Sequence, residues 1–363
     1  MIDLRRLLKA AIENEASDIH IKAESVPQMR ILGELRAAEQ FPTVTKEDTL
    51  DLAQHLLNAR QREALTQRAE IDLSFSIGGV GRFRLAVFHQ RGSISMVMRV
   101  ISDSVPGMEE LNLPPVLADI ALERRGMVLV TGTTGSGKST TLASMIQHVN
   151  RNRSAHIITI EDPIEYYFRD QEAFISQREV KLDTENFGAA LRGALRQDPD
   201  IIMVGEMRDY ETVQTALQAA ETGHLVLSTL HTTDTIETIN RIIAIFPAHQ
   251  QQDIRFRMAS SLRAIISMRL IRSSIFDGRV PAVEILRNTE YVRSLIEDPH
   301  KTKEIKQALE TGYTQYGMQS FDRSIFDHYT EGRISKDDAL ANASSREDLQ
   351  LRIRGIVSST EDL

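Results

Sequence analysis

One eight-residue segment constrains this chain of 363 residues more than any other. It reads Gly132-Thr-Thr-Gly-Ser-Gly-Lys138-Ser139 and matches the phosphate-binding pattern G-x-x-x-x-G-K-[ST] at every defined position. An apolar strand pattern at 127–131 precedes the segment, and a helical pattern at 140–149 follows it. The segment therefore predicts a strand, a phosphate-binding loop and a helix, in that order.

The residue types in this loop predict how it would hold a nucleotide. Glycines let the backbone turn so that its N–H groups surround phosphate oxygens, Lys138 brings a positive charge to the outer phosphates, and the Ser139 hydroxyl is a ligand for Mg²⁺. We therefore expect ATP and Mg²⁺ as cofactors. The predicted nucleotide-binding residues are Gly132, Thr133, Thr134, Gly135, Ser136, Gly137, Lys138, Ser139 and Thr140.

Two carboxylates follow apolar strand patterns further along the chain. Glu206 follows Ile201-Ile-Met-Val-Gly205, in which Gly205 stands at the usual Walker B aspartate position, and Glu161 ends the strand pattern that begins at His156. A P-loop needs carboxylates at neighbouring strand ends to hold magnesium and to orient water. We predict that Glu206 polarises water or coordinates Mg²⁺, directly or through water, and that Glu161 is also catalytic.

Four further polar residues near these strand ends have less defined roles. Asp162 and Glu165 are candidates for the same site, for capping a helix or for pairing with an arginine. His224 and His231 stand at opposite ends of one strand pattern, which argues against a shared metal. We predict that His231 senses the γ-phosphate and that His224 relays a conformational change.

The pattern of strands and helices predicts two domains. Residues 1–101 indicate a small α+β domain, with strands at 18–22, 28–32, 69–77, 81–88 and 93–101 and a helix over 48–67. Residues 102–115 combine Pro, Gly and acidic residues, as a linker would. From 116 to 363, helices alternate with short apolar strands, which predicts a parallel sheet covered on both faces. Beyond about 235 the pattern is mostly helical, with one hairpin within 268–285.

The composition excludes several classes of function. The chain has no Cys, which excludes disulfides, Cys-ligated zinc and thiol catalysis. Its formal net charge of −8 argues against a nucleic-acid partner, as does the 5% content of aromatic residues available for base stacking. No apolar run is long enough to span a membrane, and the start lacks a signal-peptide pattern. We therefore expect a soluble cytoplasmic protein.

Four motifs in order resemble the Walker A, Asp box, Walker B and His box of the secretion ATPase superfamily. They are the P-loop, Ile160-Glu-Asp-Pro-Ile-Glu165, Asp198-Pro-Asp-Ile-Ile-Met-Val-Gly-Glu-Met-Arg-Asp209 and the segment from Ala220-Glu-Thr-Gly-His224 to Thr229-Leu-His-Thr-Thr233. Three more are similar to the PilT/PilU group of type IV pilus retraction ATPases. These are Ala16-Ser-Asp-Ile-His20, Gln177-Arg-Glu-Val180 and Gly317-Met-Gln-Ser-Phe-Asp322.

The resemblance implies a PAS-like N-terminal domain, a RecA-like P-loop ATPase domain with a helical C-terminal part, and a homohexameric ring. It implies that ATP lies between the two domains and that arginines of the N-terminal domain reach its phosphates. Of the four arginines in that strand pair, which include Arg82, the resemblance favours Arg84, Arg91 and Arg99. The implied activity is ATP hydrolysis that powers pilus retraction and twitching motility by removing pilin at the fibre base.

The resemblance also implies partners and a location. The ring would act in the cytoplasm, peripherally at the inner-membrane pilus base, on a membrane platform protein. The resemblance allows a paralogous retraction ATPase as a further partner. The segment Tyr291-Val-Arg-Ser-Leu-Ile-Glu-Asp298 departs from the Ala-Ile-Arg-Asn-Leu-Ile-Arg-Glu motif of PilT-type motors, and residues 342–353 look more like the accessory PilU branch.

Three alternatives stay open at this point. A pilus assembly or type II secretion ATPase is disfavoured by the absence of Cys, since those that extend pili usually carry a four-Cys zinc motif, and by the short N-terminal part. A nucleic-acid motor with a RecA-like core is disfavoured by the acidic charge. A non-hydrolysing regulatory ring subunit is disfavoured by the intact Lys138, Ser139 and Glu206.

Overall fold

The computed structural model describes residues 2–31, 33–101 and 104–356. They divide into two compact units: Met1–Ser104 with Glu165–Tyr167, and Val105–Ile164 with Phe168–Leu363. Residues 102 and 103 of the predicted linker, Leu32 of a predicted strand and residues 357–363 lie outside the described residues. Within the described ranges, no helix is long and apolar enough to cross a membrane.

The first unit is an antiparallel sheet with helices packed on it. Its elements in chain order are α1 (Leu4–Glu13), β1 (Asp18–Lys22), β2 (Gln28–Ile31), β3 (Glu34–Ala37), α2 (Lys46–Leu56), α3 (Ala59–Arg68), β4 (Glu70–Ile77), β5 (Gly81–Gln90) and β6 (Ser93–Ile101). The six strands pair in the order β3-β2-β1-β6-β5-β4. The predicted single helix over 48–67 is wrong. Asn58 starts a second helix there through a capping box with Gln61.

The second unit is a mostly parallel sheet between helices, followed by a helical C-terminal part. Its elements up to the last strand are α4 (Val116–Ala121), β7 (Gly126–Thr131), α5 (Lys138–Asn152), β8 (His156–Glu161), β9 (Phe174–Glu179), α6 (Phe187–Ala194), β10 (Ile201–Val204), α7 (Tyr210–Glu221), β11 (Leu225–Leu230), α8 (Thr235–Ala244), α9 (Gln251–Ser261), β12 (Leu262–Arg272) and β13 (Arg279–Arg287). The later helices are α10 (Glu290–Glu297), α11 (Ile305–Thr311), α12 (Tyr313–Tyr316), α13 (Phe321–Thr330), α14 (Lys336–Asn342) and α15 (Arg346–Ile353). Two 3₁₀ turns lie at Ala248–Gln250 and Thr302–Glu304.

The sheet of the second unit confirms the predicted parallel architecture and extends it. Its order is β13-β12-β7-β11-β10-β8-β9, and only β13 runs antiparallel to its neighbour among the described strands. Every residue of β7 and of β11 is buried, so both faces of the sheet centre are covered. The predicted hairpin is present as β12 and β13. Strand β9 was not predicted because it lies at the edge of the sheet, is largely polar and has no apolar run.

The sheet order brings the predicted site residues to one edge. The P-loop follows β7, His231 follows β11 and Glu206 follows β10 after one glycine, while Glu161 is the last residue of β8. These four strands are consecutive neighbours and all run in the same direction. The carboxyl ends of parallel strands in open α/β sheets are where ligands bind. The fold therefore presents the loop and the three side chains on the same side.

The motif Gly317-Met-Gln-Ser-Phe-Asp322 connects the C-terminal helices. Ser320 caps α13 by accepting a hydrogen bond from the Arg323 N–H group. The two carboxylate oxygens of Asp322 accept hydrogen bonds of 2.6 Å and 2.9 Å from the N–H groups of Ser344 and Ser345. The motif thereby joins α13 to the start of α15.

Candidate active site

The backbone of the P-loop requires glycine where the sequence supplies it. Gly132, Gly135 and Gly137 have φ angles of 144°, 77° and 95°, which L side chains rarely adopt. A Cβ atom on Gly132 would lie 2.4 Å from Ser136 Oγ and 2.6 Å from the Met268 carbonyl oxygen. The loop can therefore fold back on itself only with glycine at this first position.

The loop also leaves polar groups ready for an anion. Gly137 is the N-cap of α5, and no side chain in the described part of the chain caps that helix. Ser136 Oγ is buried and has no hydrogen-bond partner among the described residues. Buried polar groups are normally paired, and a helix N-terminus favours negative charge. These residues therefore fit a nucleotide phosphate.

The ammonium group of Lys138 lies inside the loop. Its side chain is buried, and Nζ donates hydrogen bonds of 2.8 Å each to the carbonyl oxygens of Gly132 and Thr133. A buried ammonium held by neutral carbonyls can neutralise an incoming phosphate charge. Ser139 and Thr140 follow it in the first turn of α5.

Glu206 and His231 come together next to this loop. Glu206 Oε2 lies 2.7 Å from Arg208 Nη2 and 3.7 Å from His231 Nε2. The pKa of His231 is lowered from its ordinary 6.5, first by partial burial and then by the charges of Lys138 and Arg208, while Glu206 opposes the shift. His231 is therefore neutral at neutral pH. The positive charge of Lys138 in the P-loop therefore acts on the same histidine that lies beside Glu206.

Glu161 is held firmly at its strand end. The side chain is buried, and Oε1 accepts hydrogen bonds of 2.6 Å from Thr159 Oγ1 and 3.2 Å from Gln177 Nε2. Strand β8, which ends in Glu161, is next to β10, which Glu206 follows, but is three strand positions from β7, which the P-loop follows. Three positions correspond to about 14 Å at the usual strand spacing. Glu161 is therefore nearer to Glu206 than to Lys138 in the sheet order. The sequence analysis named Gln177 only as part of a motif and did not name Thr159. Thr159 stands two residues before Glu161 on β8, so the alternation of side chains along the strand places both on the same face of the sheet.

The less defined polar residues separate from one another. Asp162 Oδ2 lies 3.1 Å from Lys181 Nζ. Asp162 therefore makes an ion pair, as one of its three predicted roles required, but with a lysine and not with an arginine. Glu165 belongs to the first unit. His224 precedes β11 and its Nδ1 lies 3.0 Å from the Ala219 carbonyl oxygen, at the opposite end of the strand from His231. Arg208, which pairs with Glu206, was missed, although its position two residues after Glu206 is a usable signal.

The structure brings two of the three predicted arginines together within the first unit. Arg84 on β5 and Arg99 on β6 are direct cross-strand partners, and both side chains are exposed. Arg99 Nε also donates a 2.9 Å hydrogen bond to Asp18 Oδ1. Arg91 lies in the turn between β5 and β6, roughly 20 Å from Arg84 along an extended strand. Like charges directly opposite each other are unfavourable unless an anion or a carboxylate compensates them.

The sheet, the loop and the strand-end side chains define a P-loop nucleotide-binding protein. A family model described as "Type II/IV secretion system protein" matches residues 1–325. The type IV pilus retraction ATPase PilT of Pseudomonas aeruginosa is 42% identical over 342 residues, which are 94% of this chain and 98% of that protein. The type IV pilus ATPase PilU of the same organism is 39% identical over 353 residues, covering 97% and 92%.

A solved structure agrees with these relatives. The crystal structure of the pilus retraction motor PilT with bound ADP matches with a TM-score of 0.89 and 43% identity, over 96% of this chain and 99% of that chain. The chain therefore belongs to the Type II/IV secretion system protein family and is an ATPase. The resemblance to the PilT/PilU group is confirmed. So is the α/β fold class with an N-terminal sheet domain and a C-terminal ATPase domain.

Proposed function

We propose that this protein hydrolyses ATP to power type IV pilus retraction, and with it twitching motility, by coupling domain closure to the removal of pilin at the fibre base. The observation that carries the proposal is the identity to PilT and PilU, which extends over nearly the whole of this chain and of each relative. The intact P-loop supplies the chemistry on which such a motor depends.

The roles of the site residues follow from their positions. The loop residues 132–140 hold the phosphates, and Lys138 balances their charge. Ser139 and Glu206 are the ligands that this chain offers to Mg²⁺, directly or through water. When bound, Mg²⁺ neutralises charge that develops on the phosphates. Glu206 polarises the attacking water, His231 senses the γ-phosphate and Glu161 supports hydrolysis as a second carboxylate.

The ring and its arginines are the second part of the proposal. Residues 1–101 form the N-terminal domain, 102–115 the linker and 116–363 the ATPase domain of each subunit in a homohexamer. Arg84, Arg91 and Arg99 meet the phosphates when the domains close. The cross-strand pair of Arg84 and Arg99 supports this role: Asp18 pairs with Arg99, and the exposed Arg84 directly opposite adds a second positive charge on the same face of the sheet.

The ring acts on an inner-membrane platform protein, peripherally at the cytoplasmic side of the pilus base, and a paralogous retraction ATPase is a further partner.

Helix α10 bears on whether this motor is primary or accessory. It keeps Arg293, Leu295 and Ile296 of the PilT-type motif, and the last two are buried. Tyr291, which departs from the motif, is 50% exposed. This departure lies on the exposed face of α10 and favours an accessory motor.

A deletion experiment tests the proposal. Cells that lack the gene should carry more pili and twitch less, and imaging of labelled pili should show fewer retraction events. Complementation with the native gene should restore retraction, whereas a Lys138→Ala copy should not. Cells without pili would instead support an assembly ATPase, and unchanged pili together with normal retraction would reject the proposal.

A further inference from the structure

A line of buried hydroxyl groups connects the loop that carries His231 to the base of the P-loop. Thr232 Oγ1 lies 2.7 Å from Thr238 Oγ1, and Thr238 Oγ1 lies 3.5 Å from Thr131 Oγ1. Thr131 Oγ1 in turn lies 2.8 Å from Ser267 Oγ. All four residues are at most 2% exposed. Thr232 directly follows His231 and Thr131 directly precedes Gly132, so the line joins the two parts of the site.

The hydrogens of these hydroxyl groups can be assigned in part. A threonine hydroxyl carries one hydrogen, and that of Thr238 is donated to the Asp234 carbonyl oxygen at 2.6 Å. Thr238 therefore accepts in its short contact with Thr232, and Thr232 donates. The 3.5 Å contact between Thr238 and Thr131 is then a packing contact and not a hydrogen bond, because the Thr238 hydrogen is already used. The Thr232 side chain is thus fixed in direction by a residue of α8.

A second contact fixes the other end of the same loop. The N–H group of Thr235, the first residue of α8, donates a 2.9 Å hydrogen bond to Glu284 Oε1. Thr235 is 1% exposed and Glu284 is 8% exposed. Glu284 on β13 is also the strand partner of Ser267 on β12. Residue 232 is therefore tied to α8, and residue 235 is tied to β13 in the interior of the sheet.

The side chain of His231, by contrast, is 42% exposed and lies 3.7 Å from Glu206. The next residue, Thr232, is buried and bonded to Thr238, so the backbone from which the His231 ring extends is held on that side. We propose that Thr238 is a positioning residue for ATP hydrolysis: its hydroxyl holds Thr232, and through it His231, in place beside Glu206 and the P-loop. This inference rests on the role of His231 proposed above.

The experiment uses the purified full-length protein and measures ATP turnover, the KM for ATP and the thermal midpoint. Thr238→Val keeps the size of the side chain and removes the hydroxyl, so kcat should fall about tenfold, with KM changed less than about twofold. Thr238→Ser restores the hydroxyl and should recover most of the rate.

Ser324→Ala is the matched control. Ser324 is also buried, at 6% exposure, and its Oγ accepts a 3.1 Å hydrogen bond from the Val283 N–H group, but it lies outside the line. It should lower the thermal midpoint and leave kcat near the wild-type value. If Thr238 only stabilised the fold, Thr238→Val would likewise lower the thermal midpoint and leave kcat unchanged.

A double variant tests whether Thr238 acts through His231. If it does, adding Thr238→Val to His231→Ala should change kcat less than about twofold, since the two residues share one effect. A wild-type kcat in Thr238→Val, no recovery in Thr238→Ser, or independent effects in the double variant would overturn the inference. A wild-type kcat in His231→Ala alone would reject the proposed role of His231 itself, which is a different failure.

Discussion

His231 Nε2 lies 3.7 Å from Glu206 Oε2, and the same carboxylate oxygen lies 2.7 Å from Arg208 Nη2. The histidine and the glutamate reach each other because β10 and β11 are neighbouring parallel strands that end at the same edge of the sheet. The oxygen that we assign to water activation therefore has two nitrogen partners. Any change in the charge of His231 acts directly on Glu206.

Protonation of His231 should inhibit the enzyme. Burial and the nearby cations lower the pKa of His231 below 6.5, so the ring is neutral at neutral pH and gains a proton only at a lower pH. A charged ring would pair with Glu206 and hold its carboxylate away from water. We expect kcat to fall as the pH drops below 6.5, and this decline should weaken in His231→Gln. A profile that does not change in the variant would contradict the assignment.

Lys138→Ala should abolish hydrolysis and weaken nucleotide binding at least tenfold, roughly the value of one strong charge-assisted hydrogen bond. The buried ammonium lies among the carbonyl groups of the loop, and the variant would leave the phosphates without that charge. Fluorescence anisotropy with labelled ADP measures the affinity. Lys336→Ala, at an exposed position in α14, is the control and should bind normally. Wild-type binding by Lys138→Ala would reject the P-loop assignment.

Glu284→Gln should change how stability depends on pH. Burial raises the pKa of Glu284 above its ordinary 4.5, with the charge of Asp234 acting in the same direction. Above pH 4.5 the folded protein therefore holds a proton that the unfolded chain releases, and stability falls as the pH rises toward the folded pKa. The amide cannot ionise and can still accept the hydrogen bond from Thr235. The thermal midpoint of Glu284→Gln, relative to that of the wild type, should therefore rise between pH 5 and pH 7. A difference between the two midpoints that stays constant over this range would contradict the raised pKa.

The parts of the fold that the sequence predicts are those with a strong local pattern. The buried strands β7, β10 and β11 each contain an apolar run of three or four residues, and the P-loop is a complete motif. The sequence could not predict β3 or β9. All four residues of β3 are exposed and β9 is largely polar, so both strands are held by their neighbouring strands and not by their own burial. The break near Asn58 depends on a capping box that helical periodicity alone does not reveal.

The sequence predicted which strand ends carry the site residues, but it did not predict which side chains contact them. Glu206 and Glu161 were predicted because each follows an apolar strand. The partners Arg208, Thr159 and Gln177 depend on side-chain directions and on the pairing of β8 with β9. Thr238 could not be found from the sequence, since a threonine in an amphipathic helix carries no signal of its own until the fold places it against Thr232 and Thr131.

Arg84→Ala or Arg99→Ala should lose most hydrolysis and keep ATP binding, because ground-state binding depends mainly on the loop and the arginines act on charge that develops during transfer. Arg36→Ala, an exposed arginine of β3 in the same sheet, is the control and should hydrolyse ATP normally. In a coupled ring, mixing Arg99→Ala subunits into wild-type protein should lower turnover by more than their fraction. A proportional decline after subunit exchange would contradict coupling.

The most direct measurement is single-turnover hydrolysis of radiolabelled ATP by purified Glu206→Gln, compared with wild type and with Glu347→Gln at an exposed position in α15. The amide keeps the shape of the side chain but cannot take a proton from water. The wild type and Glu347→Gln should convert bound ATP to ADP and phosphate, whereas Glu206→Gln should bind ATP with similar affinity and retain it unhydrolysed. Hydrolysis by Glu206→Gln at the wild-type rate would contradict an ATPase site built around Glu206.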